Sequence, residues 1–153
     1  MTFWKFLHIA AMFGAVSVFV GQGVLSAAIA STRDVRAIRR TLAVESRFAP
    51  VGGALFILGI VFGFITAQTA DFDLTQTWLL IAYGLTALIL ALGFGYHGPR
   101  DKKLRALVEA SSEDAPSGDL LALIEAPSAR VVRTIDLLLW LAITYVMVAK
   151  PFP

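Results

Sequence analysis

The sequence predicts an all-α fold, a four-transmembrane-helix bundle with up-down connectivity and both termini outside, and three observations carry that prediction. Four apolar stretches, residues 3–30, 51–67, 78–96 and 131–149, each come near the roughly 20 residues that cross a hydrocarbon core of about 30 Å. Hydrophobic residues make up 58% of the 153 and charged residues only 16%, with a mean hydropathy of +0.76, outside the range of an ordinary water-soluble domain. The basic residues are gathered into two of the three connections. Lipid offers the backbone no water to bond with, so an open-ended spanning segment has to be a helix. A single integral membrane domain over residues 1–153 fits the length.

The first stretch holds Lys5 and His8 as its ionisable groups. It is too long for the apolar region of a signal peptide and ends without a small-residue cleavage site, so this helix is expected to stay in the protein. It also exceeds a perpendicular crossing, and Val35, Ile38 and Leu42 keep helical spacing, so residues 32–48 are expected to continue it into the cytoplasm. The second span opens after Pro50 with Gly52 and Gly53 and contains the G-x-x-x-G pair Gly59 and Gly63; Ser17 and Gly21 repeat that spacing in the first. Small residues at this interval let two helix backbones approach, here first as contacts inside the bundle and second as a face for a dimer. The third span starts at Trp78 and ends at Tyr96, before His97-Gly98-Pro99. Beyond it, Leu104, Leu107 and Val108 predict an amphipathic helix over 99–110 lying on the membrane surface. Pro116 and Gly118 mark residues 111–118 as a turn, and 119–125 reads as a short helix stopping before Pro127. The fourth span carries Asp136.

Eleven of the 13 Lys and Arg residues lie in segments 31–50 and about 97–133, whereas the connection at 69–77 carries only Asp71 and Asp73. Segments rich in Lys and Arg stay on the cytoplasmic side, so loops 31–50 and 97–130 are expected there. Trp4, Trp78 and Phe152 are expected to mark the outer interface, and Arg133 to snorkel to the inner one. Arginines that abut membrane spans set topology or meet lipid headgroups, and six acids balance the longer loop, so nucleic acid is not an expected partner. That loop either solvates the inner face or docks a partner. With no cysteine, the chain forms no disulfide, thiolate metal site or iron–sulfur cluster.

Candidate chemistry rests on His8, His97, Asp136, Gln22, Gln68, Tyr83, Tyr96 and Tyr145. An ionisable group inside a span points to function, with a partner to be named. His8, about five residues into the outer end of the first span, can ligate haem iron or copper as a neutral imidazole, or can face the bundle and bond a backbone carbonyl. His97 lies at the opposite end of the bundle, so the two cannot share an iron. Asp136 follows Arg133 by three residues on one helix face, which predicts an ion pair between them.

Trp4-Lys5-Phe6-Leu7-His8-Ile9, Glu45-Ser46-Arg47-Phe48 with Pro50, Trp78-Leu79-Leu80-Ile81 and Val148-Ala149-Lys150-Pro151 together resemble small bacterial integral membrane proteins. That superfamily holds the HemJ-type protoporphyrinogen oxidases, the CopD-like copper-resistance domain and a related group of unknown function, to which the chain looks nearest. The resemblance runs along most of the chain and implies a multi-pass protein of the bacterial cytoplasmic (inner) membrane. It also implies His8 as a ligand of haem b. Where HemJ-like proteins carry a second ligand, a lysine four residues after the tryptophan, this sequence has Ala82, which counts against porphyrinogen oxidation. A CopD-like copper role would need more His or Met ligands than the scattered Met1, Met12 and Met147. The function expected is therefore a structural or accessory subunit of a membrane complex. Its partners are the lipid bilayer and either a larger membrane complex or further copies of itself. A haem b or porphyrin-binding redox protein built on His8 is the alternative, and copper handling the second.

Because the chain lacks native cysteine, single cysteines report sidedness cleanly. In intact cells a membrane-impermeant maleimide should label a cysteine at position 72 and spare one at position 115; the reverse pattern would invert the orientation.

Overall fold

A computed structural model describes residues 2–112 and 115–151. The predicted outer-interface residue Phe152 lies outside the described residues. Among them all regular structure is helical: α1 (Thr2–Ser31), α2 (Val35–Thr69), α3 (Thr77–Leu92), a π-turn (Gly93–His97), α4 (Gly98–Ala110), α5 (Gly118–Glu125) and α6 (Pro127–Ala149). Four helical stretches are long and apolar enough to cross a membrane: Thr2–Ser31, Val35–Thr69, Thr77–Ala110 and Gly118–Ala149. The chain is a multi-pass membrane protein on that ground.

Helices α1 and α2 form a tight hairpin. Its turn is Thr32-Arg33-Asp34, where Arg33 takes a left-handed φ of 58° and the Asp34 carboxylate accepts from the backbone N–H groups of Arg36 and Ala37. That bond satisfies donors which the first turn of a helix leaves free. The expectation that residues 32–48 prolong the first span is thereby corrected: 32–34 are the turn, and from Val35 the chain forms the first part of α2 and runs on through Pro50. Pro50 lacks only the hydrogen bond to the Ser46 carbonyl, so the helix continues past it. The two helices run antiparallel, since contacts join Ser26 to Glu45, Val18 to Gly52, Leu55 to Gly14, and His8 to Gly59 and Gly63.

Helix α6 packs along α3. Trp78, Leu79 and Ala82 are buried with Val146, and farther along Trp140 and Ile143 meet Ala15 and Phe56 of the hairpin, with Leu85 and Ile89 of α3 against them. Phe19, Phe56 and Trp140 form an aromatic seam, their ring centroids 5.9–6.5 Å apart. Most of the surface of the long helices remains apolar and outward, as lipid requires.

The basic end has a core of its own. Val35, Ile38 and Leu42 of α2 bury against Val108 and Leu120, with Leu104, Leu107 and Ile124 around them. Helix α4 is thus not laid on the membrane surface. It continues the third span through the π-turn, whose Gly98 N–H bonds the Gly93 carbonyl, and its apolar side faces protein. Arginines stitch this layer: Arg39 donates to the Val108 carbonyl, Arg105 to the Leu42 carbonyl and Arg100 to the Leu123 carbonyl, while Arg33 pairs with Glu125 at the surface. The short helix expected at 119–125 is α5, capped by the Ser117 hydroxyl. Ala126, ahead of Pro127, is extended with ψ 124° and divides α5 from α6.

At the other end α2 closes with a Schellman turn: Phe72 N–H bonds the Ala67 carbonyl and Asp71 N–H the Gln68 carbonyl. The residue in left-handed conformation there is Asp71, with φ 53°. Nearby, the hydroxyl and then the backbone N–H of Thr75 hold the Asp73 carboxyl below its ordinary pKa. Lys150 Nζ sits 4.1 Å from the Phe72 ring centroid and 5.0 Å from that of Trp78, tying the end of α6 to this loop.

A left-handed residue with a Cβ costs on the order of 1 kcal/mol relative to glycine. Asp71→Gly is therefore expected to raise the thermal unfolding midpoint in detergent by a few degrees, as read by circular dichroism.

Candidate functional site

The G-x-x-x-G of α2 is the floor on which the best candidate side chain rests. A Cβ at Gly63 would lie 3.0 Å from Cε1 and Nδ1 of His8, and a Cβ at Gly59 would collide with Sδ of Met12. His8 and Met12, one turn apart on α1, thus drop into the two gaps that the glycines leave. Gly14 and Gly52 do the same for Leu55 and Val18, at 2.9 Å and 2.8 Å. The reading of Gly59 and Gly63 as contacts inside the bundle describes this geometry. A Cβ added at Gly21 would meet nothing within 4 Å, and Ser17 and Gly21 are both exposed, so they sit on an outward face of α1.

His8 is half-buried, and its Nδ1 lies 2.7 Å from the Gly59 carbonyl oxygen. A carbonyl only accepts, so Nδ1 carries the hydrogen, and in the neutral ring Nε2 keeps its lone pair. The bond fixes the ring's tautomer and direction in the way that second-shell carbonyls orient metal-ligating histidines; it equally well satisfies a histidine that serves only packing. The position where the resemblance leads one to expect a lysine ligand, Ala82, is 1% exposed and closed in by apolar neighbours. Met12 and Met147 both border the Ala15, Phe56, Trp140 and Ile143 cluster, and Met1 lies outside the described residues. No group of three or more His, Cys, Asp or Glu side chains suited to a metal occurs among the described residues.

The predicted ion pair between Arg133 and Asp136 is corrected: Asp136 is bonded to His97, Nε2 to Oδ2 at 2.5 Å. The π-turn explains this. Its extra residue rotates the helix so that His97 faces α6, and Tyr96 stands edge-on to the imidazole with its hydroxyl 3.4 Å from Ser128 Oγ. Sequence periodicity carries no signal for a π-turn. The signal available was depth: His97 and Asp136 both fall at the basic end of the bundle, where each needs a polar partner.

The other candidates have local roles. Gln22 donates weakly to the Glu45 carbonyl at 3.4 Å, and Ser26 to the Glu45 carboxylate at 2.7 Å. Tyr83 stacks on Phe64, with centroids 5.8 Å apart; Gln68 and Tyr145 are exposed. The hydroxyls of Thr66, Thr86 and Thr144 each bond the carbonyl one turn earlier in their own helix.

No protein-family model, curated protein or solved structure matches this chain. Nothing in these comparisons links it to HemJ-type or CopD-like proteins.

If the glycines of α2 set the helix separation, an added methyl is costly only where α1 lies against it. Gly59→Ala should lower unfolding stability in detergent by about 1–3 kcal/mol, the usual cost of overpacking, and Met12→Ala in the same chain should restore part of it. Gly84→Ala, where nothing lies within 4 Å, should not destabilise.

Proposed function

We propose that this chain is a structural or accessory subunit of a membrane complex, held in the bacterial cytoplasmic membrane with loops 31–50 and 97–130 inside and both termini outside. The observation that carries the proposal is how the polar groups of the helices are used. His8 bonds a carbonyl of α2, Asp136 bonds His97, and the threonine hydroxyls bond their own helices. The seam where the four long helices meet is filled by Phe19, Phe56 and Trp140. Such a bundle presents an apolar exterior to lipid and to neighbouring spans, and its arginine-laced end is a compact platform outside the hydrocarbon. Its work on this reading is to occupy and brace a position beside larger subunits or further copies of itself.

A second reading is favoured by one detail, the open Nε2 of His8. With Nδ1–H held by Gly59, that nitrogen has the form in which histidine ligates haem iron, and a haem b or porphyrin-binding redox protein would use it.

Isolation from native membranes in mild detergent separates the two. The first reading expects a colourless protein that co-elutes with other subunits or as an oligomer. A colourless monomer free of companions would sink it. A Soret band that disappears in His8→Ala would put the second reading in its place.

A further inference from the structure

An open groove of about 480 Å³ lies where the π-turn and α4 meet α5 and the start of α6. Its polar lining comes from Tyr96, Arg100, Lys103, Asp119 and Ser128, over a floor that includes Leu123 and Ala126. The third apolar stretch ends at Tyr96 and the fourth begins at Val131, so the groove sits where hydrocarbon gives way to lipid headgroups. Arg100 is held in place, its Nη2 donating to the Leu123 carbonyl at 2.7 Å; a guanidinium has five N–H donors, so four are left for a ligand. Lys103 adds an exposed ammonium nearly one turn further on.

We propose that this groove binds the phosphodiester headgroup of an anionic phospholipid. Two cations set against the Asp119 carboxylate leave the lining a net charge of +1. That matches a lipid phosphodiester monoanion better than the more highly charged free phosphate. The apolar floor suits the glycerol and the first acyl carbons, and Tyr96 and Ser128 offer hydroxyls to the ester oxygens. The carboxylate on the rim leaves little advantage for zwitterionic phosphatidylcholine, whose overall charge is zero.

The test uses the full chain, delipidated in detergent, with thermal unfolding as the readout. Dioleoylphosphatidylglycerol should raise the midpoint several degrees further than dioleoylphosphatidylcholine. The difference should vanish in Lys103→Gln, return in Lys103→Arg and persist in Lys102→Gln, which alters a neighbouring exposed lysine outside the groove. Equal shifts with both lipids, an undiminished preference in Lys103→Gln, or equal losses in Lys102→Gln and Lys103→Gln would overturn the site. Millimolar inorganic phosphate should give no shift; if it reproduced the full effect, the ligand would be free phosphate and the lipid assignment would fall.

Discussion

Helices already immersed in lipid gain little by hiding apolar surface from one another, so what joins them is the fit of one backbone against the next. In this protein that fit is concentrated between α1 and α2. Gly52, Gly59 and Gly63 on one helix and Gly14 on the other remove the atoms that would keep the axes apart, and Val18, Met12, His8 and Leu55 fill the space. The polar bond in the half of the hairpin nearer the N-terminus, from His8 to the Gly59 carbonyl, exists because the helices are that close. Helices α3 and α6 pack against this hairpin through larger side chains, Trp140 and Ile143 of α6 and Leu85 and Ile89 of α3.

The two ends of the bundle are organised by different physics. At the basic end the chain leaves the hydrocarbon and can use burial from water, and Leu120 and Val108 are almost wholly enclosed. Arginines there bond to carbonyls of neighbouring helices, and they do so in addition to any part in topology. At the opposite end Trp78, Leu79, Ala82 and Val146 are buried with Phe72 and Leu74 packed against them. Lys150 over the rings of Phe72 and Trp78 and the Schellman turn close that end, at the cost of left-handed residues that are not glycine.

How much of this was legible depended on which rule governed each segment. The four apolar runs and the helix at 119–125 follow from composition and period, and the structure contains them. The period at Val35, Ile38 and Leu42 was also sound, but it gives no indication of which neighbouring helix a segment joins. That was decided by the turn at Thr32-Arg33-Asp34, which has neither glycine nor proline and shows itself only through the capping carboxylate of Asp34. Likewise Leu104, Leu107 and Val108 form a real apolar face whose partner is protein, because α2 projects far enough to meet it: 35 residues at about 1.5 Å each give about 50 Å, well beyond a hydrocarbon core. Asp136 was misassigned because the spacing to Arg133 is local, whereas the bond to His97 crosses between helices. The place of His8 against Gly59 and Gly63 was half visible, in that the small-residue spacing could be read but not which side chains would occupy it.

The π-turn at Gly93–His97 gives the chain an uneven tolerance to changes in length. Each residue of an α-helix advances the azimuth by about 100°, so removing one residue from α3 ahead of the turn would swing everything after it by that amount, and Val108 would leave the small core at the basic end. The π-turn holds one residue more than an α turn, so a deletion inside it yields an ordinary α-helix and leaves the phase beyond it nearly unchanged. The same five residues have no matching outlet for an insertion, because the turn is already one residue over.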